Sequence, residues 1–378
     1  MKRSRHKVAK RKSRNFKQCA FQAIVTVCFA LLVFFSEVLA QSGRHPQGKP
    51  GANNEKPDVR LETLEIRVPL RAYDSNGKPV TDLMPKDVLV LEEDQARPVT
   101  SITYEPANIV LVLDLSNEIG TFKNGESRRD DLWGRPSKLV LPRPAAREFA
   151  DNLVANLSQG DRIAIIQYAD RVQLIQDWTE NRDEALLSLK SKFRAGIKAR
   201  YFDALMMAAQ KLNECETGRR IVVLVSDGID SASKSRLPQT VTALTRAQAS
   251  LFVVSWTELL RNEIRKAVEW SSAYEPYNSA TAKRKEELLT FIKRLDGPET
   301  RMRQMAEQSG GEMWTPSTFD KFVKTPGDVI KEISAQYTLT FVAEREGIEN
   351  IRDIHVLPAR IGLTVQARQK YYAEDDAR

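Results

Sequence analysis

Between residues 108 and 256 the chain alternates short, wholly apolar runs with stretches of helical period, and few folds accept that pattern. Residues 109–113 (IVLVL) are uninterrupted apolar and stop at Asp114; 163–168, 221–225 and 251–256 repeat the theme. A further strand, 172–178, follows 163–168 across a tight Ala169-Asp170 join. Helical patterns at 145–157, 183–193, 203–212 and 240–248 separate the runs. A strand apolar on both faces must be covered on both, so the expected core is α/β, a doubly wound and mostly parallel sheet. In such sheets ligands bind beyond the strand C-termini, where the strand order reverses. Asp114 and Asp227 each stand just past the end of a buried run and are the first candidates for function.

The flanks of this region are β-rich. Leu64, Ile66, Val68, Leu70 and Ala72 alternate with Glu65, Arg67, Pro69 and Arg71, the period of a half-buried strand. Asn76-Gly77 marks a turn, strands are expected at 88–91 and 99–104, and three more at 337–342, 351–356 and 363–367. Neither flank has enough strands for a robust core of its own. The expectation is one β-rich accessory module made from both chain ends (59–105 and 337–378), with an α/β domain at 106–336 inserted between them. Inside that domain, 257–298 is a charged helical insertion. Its two apolar stripes, Leu260, Ile264, Ala267, Val268 and Leu288, Phe291, Ile292, Leu295, read as helices docked on the domain edge. A short helix at 302–308 ends at Gly310-Gly311, an edge strand follows at 313–315, and the last helix is expected at 328–336.

Composition excludes several function classes. The net charge of +8 suggests a nucleic-acid binder, but residues 1–40 hold nine Lys/Arg against the single acid Glu37. Residues 41–378 are therefore neutral overall, and no nucleic-acid partner is expected. The basic head, the short apolar run 20–35 and Val38-Leu39-Ala40 read as a secretory signal peptide, or else a signal anchor, at 1–40. The run is shorter than the about 20 residues that span a bilayer, which favours cleavage; membrane contact is expected only through 20–35 if the signal is retained. Residues 41–58 are a Gly/Pro/Asn/Lys-rich linker, and the body is expected to be secreted, periplasmic or in the cell envelope. Cys215 is the only cysteine outside the head, and the histidines are His6, His45 and His355. A Cys-based zinc site, an internal disulfide and His-based hydrolysis are improbable on these counts. A metal here would need oxygen ligands, which means Mg2+, Mn2+ or Ca2+.

The loop after 109–113 offers such ligands: Asp114, Ser116 and Glu118 occupy alternate positions, and Asp227 arrives from a neighbouring strand. The plain alternative is an acid capping the next helix. The order of elements and these loops resemble the von Willebrand factor type A domain over 106 to about 336. That likeness implies a Rossmann-like, six-stranded sheet carrying a metal-ion-dependent adhesion site, with Asp-x-Ser-x-Ser after the first strand, a Thr in a second loop and an Asp after the fourth strand. Asp114, Ser116 and Asp227 match. Three segments extend the resemblance to the acidobacterial VWFA-related family of exported proteins, across nearly all of 60–372: 68–82 with its Asn-Gly turn, 305–314 (MAEQSGGEMW), and 351–372 with Val365-Gln366-Ala367-Arg368.

The departures from the pattern are specific. Glu118 replaces its second Ser, and its Thr falls at Ala199, between Lys198 and Arg200. The resemblance therefore implies a non-enzymatic, exported protein for protein binding or adhesion through a degenerate site. Asp114, Ser116, Glu118 and Asp227 would be the metal ligands. Lys198 and Arg200 would receive an acidic group of a protein ligand. The rivals are a structural envelope component with a dead site and a magnesium-dependent phosphoryl-transfer or hydrolytic enzyme. The last lacks a Gly-rich phosphate loop and a nucleophile–base pair.

Overall fold

A computed structural model of the chain describes residues 63–116, 142–274, 278–344 and 350–373. The expected signal at 1–40, the linker at 41–58, Glu118 and the 119–140 loop lie outside the described residues. Residues 61–378 form one unit.

The chain begins with four strands: β1 (Thr63–Tyr73), β2 (Val88–Glu92), β3 (Gln95–Arg97) and β4 (Val99–Thr103). Glu93 and Asp94 turn between β2 and β3 in the left-handed region, at φ 46° and 64°, as a two-residue hairpin requires. The last four strands are β11 (Gln336–Glu344), β12 (Asn350–Pro358), β13 (Thr364–Ala367) and β14 (Lys370–Ala373). The two groups interleave into sheets of order β13-β1-β11-β4 and β14-β12-β2-β3. β1 and β11 pair antiparallel from Thr63↔Glu344 to Arg71↔Gln336. One apolar core joins Ile66, Val68, Leu70 and Val90 from the first group to Leu339, Phe341, Ile354 and Tyr371 from the last. The accessory module is thus built from both chain ends. β14 is an addition to the strands read from sequence, because its four residues are too short to show a period.

The sheet between them runs β10-β9-β8-β5-β6-β7. Its strands are β5 (Ala107–Asp114), β6 (Arg162–Tyr168), β7 (Val172–Thr179), β8 (Arg219–Ser226), β9 (Ser250–Ser255) and β10 (Glu312–Trp314). β6 and β7 pair antiparallel; the other neighbours are parallel. Every residue of β5 is buried. Ile109, Leu111 and Leu113 face one helical layer and Val110 and Val112 the other, as alternate side chains of a strand must.

The first layer holds α1 (Pro142–Ala155), α2 (Arg182–Lys192), α5 (Thr257–Tyr274), α6 (Ser279–Arg294) and α8 (Phe319–Ser334). The second holds α3 (Tyr201–Asn213), α4 (Leu237–Arg246) and α7 (Asp296–Gln308). The stripes of the charged insertion are docked: Leu260, Ile264, Leu288, Phe291 and Leu295 are all buried in the first layer.

Two helices differ from the sequence reading. α7 begins at Asp296 rather than at residue 302, because Pro298 falls in its first turn, where a missing N–H is harmless. α8 spans Phe319–Ser334 rather than 328–336, and runs through Pro326. Pro-Gly looks like a break, but Phe322, Val329 and Ile333 are fully buried on that face, and Phe322 packs 5.6 Å from the Phe149 ring. Tertiary packing outweighs the lost hydrogen bond. Gln336 opens β11 instead of closing the helix.

Buried arginines tie the module to the N-terminal edge of the parallel strands. Arg71 on β1 reaches Glu312 at 2.8 Å, Glu332 at 2.6 Å and the Gly311 carbonyl at 2.9 Å. Arg219, the first residue of β8, donates to the carbonyls of Glu105, Ile333 and Gln336. These are the two places where the chain crosses between module and α/β domain.

Within the module, Glu92 is 1% exposed and accepts from Arg97 at 2.6 Å, Arg352 at 3.0 Å and the Tyr371 hydroxyl. Burial opposes its ionisation, but these donors outweigh burial and hold its pKa below the ordinary range. A depressed folded-state pKa gives stability that is present above the unfolded value, about 4.3, and lost as pH falls through the folded one. Glu92→Gln is expected to cost about 1–3 kcal/mol at pH 7 and to flatten the acid limb of the stability curve. Urea unfolding from pH 7 to pH 3 checks this; an unchanged acid limb would assign the dependence to other carboxylates.

Candidate functional site

The strand order reverses at β5, and the crevice at its C-terminal end is built by three strand termini. Asp114 closes β5 and is fully buried. Its Oδ1 accepts from the Ser116 amide at 2.9 Å and the Ser116 hydroxyl at 2.6 Å. Its Oδ2 accepts from the Tyr168 hydroxyl at 2.9 Å, from the end of β6. Ser226, the last residue of β8, places Oγ 2.7 Å from the Tyr168 oxygen and 3.2 Å from Asp114 Oδ2. Burial pushes the Asp114 carboxyl above the usual range, against the pull of these hydrogen bonds. Burial, then the charges of Asp114 and Asp227, pushes Tyr168 well above an ordinary phenol. Tyr168 therefore keeps its proton and acts as a donor.

Asp227 is buried at the start of the next loop, where its Oδ1 accepts from the Ile229 amide at 2.9 Å. Gly228 between them has φ +74°, and a Cβ there would meet the Met302 side chain at 2.8 Å. Position 228 thus favours glycine on conformational grounds, since the flexible Met302 tip can yield.

The second loop, after α2, is hung on its neighbours by backbone groups. Gly196 donates to the Leu115 carbonyl, and Asp170 Oδ1 accepts from the Ile197 and Lys198 amides at 3.2 and 2.8 Å. Ala199 is fully buried. Its amide donates to Ser231 Oγ at 3.0 Å, and its carbonyl accepts from the Ser231 and Ala232 amides. The Tyr201 amide donates to Asp230, so the start of α3 is tied to the same loop. Asp203 accepts from the Lys234 and Ser235 amides. Burial opposes its charge, yet these donors hold its pKa low.

The structure brings Asp114 and Ser116 into direct contact and sets Asp227 one strand away; Glu118 is outside the described residues. Lys198 is exposed on the rim. Arg200 is committed elsewhere, donating to the Asp170 carbonyl at 2.8 Å and to Asp203 at 3.2 Å. The sequence reading missed Tyr168, Ser226, Asp170, Asp230 and Ser231. Ser226 could have been found, since it adjoins Asp227 at a strand end. Tyr168 closes an apolar run and carries no local sign of its role.

A divalent cation of the Mg2+ kind needs about six oxygens. Among the described residues the crevice supplies the hydroxyls of Ser116, Tyr168 and Ser226 and two carboxylates, with a methyl group at Ala199. Asp114 already accepts three or four hydrogen bonds, close to the full capacity of a carboxylate. No three His, Cys, Asp or Glu side chains among the described residues converge as a metal group. Among the described residues, no helix is long and apolar enough to cross a membrane.

Residues 108–290 match the family model of the von Willebrand factor type A domain. No curated protein matches the chain. Solved structures similar to it include a von Willebrand factor type A protein from Catenulispora acidiphila, at 9% identity and TM-score 0.39, covering 81% of this chain and 74% of that one. The manganese-loaded TRAP protein of Plasmodium vivax is similar at 11% identity and TM-score 0.36, covering 82% and 98%. An aerotolerance-related membrane protein from Bacteroides fragilis is similar at 14% identity and TM-score 0.35, covering 59% and 98%.

Proposed function

We infer, from the von Willebrand factor type A domain that residues 108–290 form, that the chain is an exported, non-enzymatic binding protein. It holds a protein ligand over the C-terminal rim of its central sheet. Recognition there does not depend on a strongly bound metal ion. One observation carries this reading: the Thr oxygen of the pattern is replaced by the fully buried methyl of Ala199, whose amide and carbonyl are both spent on holding the rim together. The loop is kept as structure while its ligand atom is gone. The acidobacterial likeness and the charged, apolar head of 1–40 support export.

Lys198, exposed on the rim, supplies the positive charge that would meet an acidic group of the ligand. Charge pairs of this kind set partner choice and association rate more than raw affinity. Glu118 adds a carboxylate that leaves a residual, weak cation site.

The test has two arms. Ligand capture from an envelope fraction should survive EDTA and be lost in Lys198→Glu; capture that EDTA abolishes overturns metal-free recognition. Calorimetric titration with Mn2+ should show weak or no binding in the parent chain. Loss of even an outer-shell partner costs metal sites about 10–100-fold, so restoring a direct ligand by Ala199→Thr should gain on the order of tenfold or more. Ala199→Ser is the companion variant, because the methyl is buried in one cluster with Tyr168 and Tyr201. Asp227→Ala should abolish the gain. Tight parent binding that survives Asp227→Ala would place the metal in other loops.

A further inference from the structure

Away from the rim, the seam between the α/β domain and the returning C-terminal segment holds a second feature with a built interior. A cleft of about 60 Å³, with an open mouth, lies between α4, α7 and the strands β12 and β14. Its walls are apolar: Val241, Leu244, Leu251, Met305 and Ile351 line it, with Arg368 set among them. No Asp or Glu among the described residues lines it.

Arg368 is the unusual member. It is 2% exposed. One Nη donates to the Ala249 carbonyl at 2.7 Å and the other to the Thr245 carbonyl at 3.3 Å. Its Nε has no hydrogen-bond partner. These carbonyls stand at the end of α4, where a cation is favoured, but they bring no full negative charge. Of the other buried arginines, Arg71 is met by Glu312 and Glu332 and Arg261 by Asp296 and Glu299, whereas the nearest carboxylate to Arg219, Asp161, is 3.8 Å away. No ion pair meets Arg368 among the described residues. Burial, and then the like charge of Arg220, lowers its pKa to about 10, which measures how poorly its charge is compensated. A buried cation is costly unless it is paired. The segment is held tightly in place: the Gln369 amide donates to the Gln308 carbonyl at 3.0 Å, and a Cβ on Gly310 would come within 2.7 Å of the Arg368 amide.

We propose that this cleft binds a small apolar monocarboxylate, its hydrocarbon against Leu244, Leu251 and Met305 and its carboxylate at Arg368. An apolar lining with one convergent cation is complementary to that class of ligand and to neither a polar sugar nor a cation. Lys370, also on the cleft, is paired with Asp353 at 2.6 Å, which leaves Arg368 as the cation offered to a ligand. Because the walls come from both the domain and the module, an occupant stabilises their junction. The proposal does not rest on the reading of the rim.

Octanoate and octanol are the probes, titrated calorimetrically into the whole chain and followed by thermal unfolding. Octanoate is expected to bind saturably and raise the melting temperature, with octanol at least tenfold weaker. Arg368→Met should erase that preference while leaving some octanol binding. Since Arg368→Met removes hydrogen bonds that hold the seam, Ile351→Glu is the second variant. Ile351 is 39% exposed, and a carboxylate there sets a like charge at the cleft. It should weaken octanoate at least tenfold and octanol far less, so that the preference for octanoate is lost. Equal affinity for the two probes, no binding of either, or octanoate binding indifferent to Ile351→Glu would each overturn the proposal.

Discussion

Removal of residues 337–378 is expected to unfold the accessory module, leaving residues 63–104 open to protease while 106–336 resists. The truncation removes β11, which pairs with β1 along nearly its whole length and with β4 on its other side. It also removes β13, the other neighbour of β1, and β12, the neighbour of β2. What remains is β1 and β4 without partners and the two-stranded β2–β3 hairpin, which is marginal by itself in water. Val68, Leu70, Ala72 and Val90, all fully buried, would lose Leu339, Phe341 and Ile354 from their core. Burying one such side chain contributes about 1.5–3 kcal/mol, so losing several is comparable to the 5–15 kcal/mol that typically separates folded from unfolded chains. The α/β domain keeps both of its own clusters, neither of which draws on residues beyond Ile333. Limited proteolysis with fragment mass analysis reads both halves of the prediction. Protection of 63–104 in the truncated chain would show that the N-terminal strands fold alone.

Arg219→Ala is expected to destabilise the whole chain by about 3–5 kcal/mol, the range seen when one partner of a buried charged contact is removed. The guanidinium is 4% exposed and lies over the Tyr104 ring at 4.5 Å. It donates to three backbone carbonyls at the points where the chain leaves one fold for another. Alanine would remove all three donations and the charge partner of Asp161, 3.8 Å away, which would keep only the Ala107 and Ser158 amides. Arg219→Lys should recover only part of the loss, since an ammonium cannot present the planar fork that spans both crossings. Thermal and urea unfolding test this. Melting within about 2 °C of the parent in Arg219→Ala would be under 1 kcal/mol for a chain of this size and would remove Arg219 from this role.

Much of this architecture is a one-dimensional property of the chain. An apolar run such as 109–113 cannot be a surface strand or a loop, so the central sheet, its two helical layers and the positions just past strand ends follow from periodicity alone. The module's shared core followed from an argument about insufficiency: strands that cannot bury a face by themselves must find one another. Misreadings came where a local signal was overruled by packing, as at Pro326, where Phe322 and Val329 hold a helix that Pro-Gly would break.

The state of the crevice was not legible in this way. Asp114 and Asp227 stand out because each ends a buried run, and the missing oxygen at Ala199 could be read once the likeness was seen. That Asp114 is already saturated depends on Tyr168 and Ser226, which lie 54 and 112 residues further along the chain. Only the register of β5 against β6, which sets Asp114 opposite Tyr168, brings the phenol to the carboxylate. The same holds for Arg219 and Arg368, whose partners are backbone carbonyls scattered across distant segments. Side-chain chemistry at a strand end is written in the residue itself, whereas what satisfies it comes from neighbouring strands and loops, and so is decided by pairing register and packing in three dimensions.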